Sequence, residues 1–110
     1  MQQYGRMNRE ERESYRIGRQ RFEAGDDRGA LETFSLLLES CPRFADVHYM
    51  VGLVHEREGD LEAATSSLER ALEINPSYAE AVAALVSVYE RRGLFERSRE
   101  LAAQLSPSTS

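Results

Sequence analysis

Apolar positions recur along this chain with a helical period rather than an alternating one. Val47, Val51, Val54 and His55 mark one face of a first helix, and Leu61, Ala64, Leu68, Ala71, Leu72 and Ile74 mark a second; such i, i+3, i+4 spacing is that of amphipathic α-helices. Gly59 and Asp60 stand between the two runs. A glycine can take the left-handed conformation that ends a helix, and an aspartate can accept from the free N–H groups that begin the next one. The pair therefore predicts an αα-hairpin, not a strand turn. Asn75-Pro76 closes the unit, because proline disfavours helix in the residue before it and cannot continue the hydrogen-bond ladder. Ser77-Tyr78-Ala79-Glu80 reads as a capping box launching the following helix, and Asn8 with Glu11 as a looser, Asn-led version at the start of the first.

The same punctuation returns at a fixed interval. Gly25, Gly59 and Gly93 are each 34 residues apart, as are Gly18 and Gly52, Ala30 and Ala64, Pro42 and Pro76, and the apolar series Ile17, Val51, Leu85. A period of this length is the signature of a repeat architecture. The units run 11–44, 45–78 and 79–110, with two helices each and about six in all, so the expected fold class is all-α. Residues 1–8 are expected to form an N-terminal extension, 9–106 the repeat domain and 107–110 a disordered tail. The third copy of the hinge reads Gly-Leu-Phe where the others read Gly-Asp, so its second helix, beginning near Phe95, is expected to be the least firmly started.

Composition narrows the function classes. With 30% charged and 41% hydrophobic residues and only 3 Pro, the balance is that of an ordered, helix-rich domain. No apolar run reaches the roughly 18 residues of a membrane helix, and the N-terminus carries no signal-peptide h-region, so membrane insertion is not expected and the reading is cytoplasmic. The lone Cys41 cannot form an internal disulfide. Net charge is −5, but residues 1–22 hold six Arg against three Glu, which leaves −8 for the remainder. Arg9, Arg12, Arg16 and Arg19 share one helical face. A chain of pI ≈ 5.1 lacks the broad basic footprint of a nucleic-acid binder.

Residues 45–78, ADVHYMVGLVHEREGDLEAATSSLERALEINPSY, resemble a tetratricopeptide repeat through Val51, Gly52, Gly59, Asp60, Ala64, Leu68, Ala71 and Pro76. The first unit keeps Gly18, Gly25, Ala30, Phe34 and Pro42. The third keeps Leu85, Tyr89 and Gly93, but has Val86 for the early glycine and Ser98 for the small alanine. The resemblance implies a right-handed superhelix of three helix-turn-helix repeats acting as a non-catalytic protein-interaction adaptor or scaffold. It also implies that the first helix of each unit lines a concave groove. The lining then comprises Arg12, Tyr15, Arg16, Arg19, Phe22 and Glu23 from the first unit, and Asp46, Tyr49, Met50, Leu53, Glu56 and Arg57 from the second. The third contributes Glu80, Ala83, Ala84, Ser87, Glu90 and Arg91.

The groove thus grades from basic and aromatic to small and acidic. The expected partner is a protein or peptide segment, acidic with apolar anchors; the bland alternative is a solvated arginine face neutralised by Glu13, Asp46 and Glu56. Relatives that grip a C-terminal carboxylate use a set of Lys, Asn and Arg. The matching positions here hold Tyr15, Arg19, Met50, Glu80 and Ala84, of which Arg19 alone suits, so that clamp is not expected. A secretion-type chaperone for an apolar segment would rely on Tyr49, Met50 and Leu53. A self-associating scaffold, a homo-oligomer, would use Leu101 and Leu105 on the last helix, whose outward positions otherwise read as a polar cap through Ser98, Arg99 and Ser106.

No catalytic chemistry is expected. His48 and His55 share a helical face but lack a third ligand at metal spacing, and they fall where the family packs large aromatics. Cys41 precedes Pro42 at a helix end and reads as a small, semi-buried residue. There is no P-loop, GxGxxG or HExxH, so neither a cofactor nor a metal is anticipated.

Overall fold

The computed structural model describes residues 7–105. Six helices follow one another: α1 (Arg9–Glu23), α2 (Asp27–Ser40), α3 (Ala45–Arg57), α4 (Leu61–Ile74), α5 (Ala79–Arg91) and α6 (Phe95–Ala102). They form three hairpins, and the predicted hinge is present in each. Gly25, Gly59 and Gly93 adopt φ of 83°, 84° and 79°, and no other described residue has positive φ. In every turn the residue after the glycine donates its N–H to a carbonyl five residues back: Asp26 to Arg21, Asp60 to His55, Leu94 to Tyr89, at 2.8–2.9 Å. This is the bond that satisfies a helix's orphan carbonyl when a left-handed residue ends it.

Helix starts follow the expected chemistry in part. The Asn8 side chain accepts from Glu11 N–H at 2.8 Å and the Glu11 carboxylate accepts from Asn8 N–H at 2.9 Å, a complete capping box. Asp26 caps α2 through Gly29 N–H and Asp60 caps α4 through Ala63 N–H. The box expected at Ser77 does not form. The Asn75 side chain instead takes the Ser77 N–H at 3.2 Å, and α5 starts after Tyr78 with no side-chain cap. As expected, α6 also lacks one. The tail expected at 107–110, and Ser106 of the expected polar cap, lie outside the described residues.

The helices pack in two layers, and the shortest dimension of the molecule, 19 Å, is two helix diameters of about 10 Å each. One core cluster joins Ala30, Phe34 and Leu37 of α2 to Val47, Met50, Val51 and Val54 of α3. A second joins Ala64 and Leu68 of α4 to Leu85, Val88 and Tyr89 of α5. Within hairpins, glycine admits a large partner. A Cβ on Gly18 would lie 2.5 Å from the Phe34 ring, and one on Gly52 would lie 2.7 Å from Leu68 Cγ. Ser98, expected on the polar outer face, is 3% exposed. It occupies the place held by Ala30 and Ala64 in the other repeats, and its hydroxyl donates to Glu90 Oε2 at 3.1 Å, which makes burial of the polar atom tolerable.

Candidate partner-binding groove

Helix neighbours define which side is concave. α1 touches α3 and α3 touches α5, whereas α2, α4 and α6 do not meet one another. The first helices therefore lie on the inside of the curve, where the groove was expected.

At the α1 end the arginines are held by their own chain. Arg12 Nη1 donates to the Met7 carbonyl at 2.9 Å, Arg16 Nε donates to Glu13 Oε1 at 3.1 Å, and Arg19 Nη2 lies 3.7 Å from Glu23. The Arg19 guanidinium also sits over the Tyr15 ring, 5.9 Å from its centroid. The Arg16–Glu13 and Arg19–Glu23 ion pairs are exposed, so they contribute little to stability. A cleft of about 260 Å³ lies among Tyr15, Arg16, Arg19, Gln20 and Glu23. A larger depression of about 670 Å³ lies elsewhere, on α2 and the α3–α4 turn, between Leu31, Leu36 and Glu58.

The middle of the lining is aromatic. Tyr15 packs on Phe34 with ring centroids 6.1 Å apart, and Tyr49 packs on Tyr78 at 5.1 Å with the planes inclined by 44°. Burial, and then the Asp46 carboxylate, raise the Tyr15 phenol above its ordinary value. Burial followed by Glu80 and Glu56 raises Tyr49. Burial and a hydrogen bond to Asp46 raise Tyr78 strongly. All three rings stay neutral at physiological pH, with carboxylates around them. Tyr78 joins this aromatic stretch although its sequence context suggests a capping box; the signal for it is its correspondence to the apolar Phe44, 34 residues earlier.

Other expected lining residues divide between fastening and burial. Met50 is 6% exposed inside the first core cluster and offers a partner almost no surface. Leu53 is half-buried against the same cluster. Phe22 lies beneath the Arg57 guanidinium, 3.9 Å from its ring centroid, while Arg57 also donates to the Phe22 carbonyl at 2.8 Å and to Asp27 at 2.9 Å. Arg57 thus clasps the second repeat to the first. Glu56 accepts from Arg91 at 3.4 Å across α3 and α5. Ala83 is exposed, Ser87 half-buried, and Glu90 held by Ser98. At the far end Leu101 packs partly against the second cluster, while Leu105 is 45% and Phe95 59% exposed.

The residues singled out for chemistry have structural employment. His48 Nε2 lies 2.9 Å from the Pro42 carbonyl oxygen, tying α3 to the turn before it. Burial and the neighbouring Glu11 carboxylate push the Cys41 thiol up, away from its reactive thiolate. No helix among the described residues is long and apolar enough to cross a membrane.

Three successive αα-hairpins with an aromatic and charged inner layer define a helical-repeat scaffold. Residues 56–109 match the family model of the tetratricopeptide repeat. That match and the six helices together give the described residues the tetratricopeptide-repeat fold, in three successive hairpins. No curated protein matches the sequence closely. Among solved structures it is similar to MamA, with TM-scores of 0.80 and 0.82 in two crystal structures, each at 21% identity over 86% of this chain. The chain spans about half the length of those MamA chains, 51% and 55%. It is also similar to the first TPR of Spaghetti (RPAP3) bound to the HSP90 peptide SRMEEVD, with TM-score 0.75 and 16% identity over 90% of this chain and 83% of that one.

Proposed function

We propose that the protein is a non-catalytic, cytoplasmic interaction module that holds a protein or peptide segment in its concave groove, with acidic residues toward α1 and apolar anchors beside them. The observation that carries this reading is the row Arg12, Arg16 and Arg19 with Tyr15 at its centre, on the inner layer and beside a cleft. Guanidinium forks suit carboxylates, and tyrosines supply amphipathic anchoring surface. The RPAP3 relative carries an acidic peptide with one methionine, a ligand of the same general chemistry. Its mode of capture is not carried over, because the corresponding positions here hold one suitable cation, Arg19.

Peptide selection on the wild type and on Tyr49→Ala with Arg19→Glu tests the groove. Sequences rich in Asp, Glu and an apolar residue should be recovered on the wild type and lost on the variant; equal recovery on both would sink the reading. Calorimetry on the recovered peptide should show Arg16→Glu with Arg19→Glu weakening binding about tenfold and flattening its salt dependence.

A second reading rests on Phe95 and Leu105, exposed on the last helix and just beyond it. If this end joins two copies, light scattering will report a mass that falls to the monomer in Phe95→Glu with Leu105→Glu. A monomer in both removes it. A chaperone for an apolar segment is disfavoured by the burial of Met50.

A further inference from the structure

The first two repeats differ in how they use the same tyrosine. Tyr15 and Tyr49 are equivalent, 34 residues apart, but Tyr15 carries the Arg19 guanidinium over its ring. The residue equivalent to Arg19 in the second repeat is Leu53. Among the described residues no cation lies over Tyr49 or Tyr78. In the third repeat the position of Tyr15 and Tyr49 holds Ala83, exposed and too small to cover them. Carboxylates surround the pair: Asp46 faces Tyr78 and Tyr15, and Glu80 faces Tyr49. Neither Asp46 nor Glu80 forms an ion pair among the described residues. Two electron-rich rings 5.1 Å apart, flanked by carboxylates that have no cationic partner among the described residues, are what a cationic side chain needs.

We propose that the Tyr49–Tyr78 pair, with Asp46 and Glu80, receives an arginine or lysine side chain of the bound segment, which there does what Arg19 does for Tyr15 within the chain. The inference rests on the groove reading and sharpens it. The partner is then of mixed charge, acidic where it meets α1 and basic about one repeat further along. A uniformly acidic segment would bring its carboxylates against Asp46 and Glu80.

The probe is an octapeptide with Asp and Glu at one end and a single arginine at the other, compared with its citrulline counterpart, which keeps the shape but not the charge. Affinity and aromatic NMR shifts are measured on the full chain. The arginine peptide should bind about three- to fivefold more tightly, the gain of an exposed cation–π contact, and should shift the Tyr49 and Tyr78 ring signals. The preference should vanish in Asp46→Asn and in Tyr49→Leu and persist in Tyr49→Phe, which keeps the ring. Equal affinity of the two peptides, with shifts confined to α1, would overturn this inference and leave the groove reading standing. No shift on any inner-layer residue from either peptide would overturn both.

Discussion

The second and third repeats solve one packing problem in opposite ways. In the second, Gly52 on the first helix makes room for Leu68 on the second, as Gly18 does for Phe34 in the first repeat. In the third, the equivalent positions hold Val86 and Ala102, so the bulk has moved to the other helix. The starts of the second helices differ as well. Asp26 and Asp60 cap helices of 14 residues, whereas α6 begins after Leu94 without a side-chain cap and runs for 8. What the repeats share is therefore the filled volume between helices, not the residue that fills it.

The largest test of that comparison is to exchange the bulk. Leu68→Ala should cost about 2–5 kcal/mol, since Leu68 is fully buried and leaves a cavity. Gly52→Val should cost about 1–3 kcal/mol, because its first added carbon already meets Leu68 at 2.7 Å. The double substitution, which imitates the third repeat, should cost clearly less than the two added together in urea unfolding. Strict additivity would mean that the two sites do not share one space.

A smaller effect separates the helix starts. Asp60→Ala should lose about 1 kcal/mol and bring the first turn of α4 to the low amide-exchange protection expected of α6. Leu94→Asp should gain little, because the capping bond it supplies replaces the packing of Leu94 against the second cluster. Equal protection of α2, α4 and α6 in the wild type would contradict this account.

The smallest effect concerns Tyr89, which stands where the second repeat has His55. Burial and its hydrogen bond to Glu69, 2.7 Å long, push the phenol up to about 12. A phenol raised in the folded state favours folding fully below its unfolded value of about 10 and loses that contribution as pH climbs through the folded value. Stability should therefore fall between pH 10 and about 12. Denaturant titrations on Tyr89→Phe should show a shallower decline over that window.

The hairpins were legible because their punctuation is chemical: a glycine at positive φ and an acid that can cap leave few alternatives. The lining was legible less evenly. Met50 was placed in the groove by position within the repeat, yet it lies on the face that meets α2, alongside Val47 and Val54. Ser98 was placed outside by polarity, yet its small size matters more than its hydroxyl once Glu90 accepts the bond. Tyr78 was hidden because the Asn75 side chain accepts the Ser77 N–H that the Glu80 carboxylate would take in a capping box, turning an expected cap into a turn. Each of these depends on which neighbour wins a contact across the fold, and repeat spacing carries no information about that.

The three hinge glycines share one backbone angle to within 5°. A chain that makes the same reversal at regular intervals traces a screw, and its pitch is written in the hinges and the buried joints. Arg12, Arg16 and Arg19 take part in neither, whereas Met50, Glu56 and Arg57 help to join neighbouring repeats. Along the arginine row, then, surface chemistry is inherited separately from shape and can be rewritten one side chain at a time while the scaffold keeps its form.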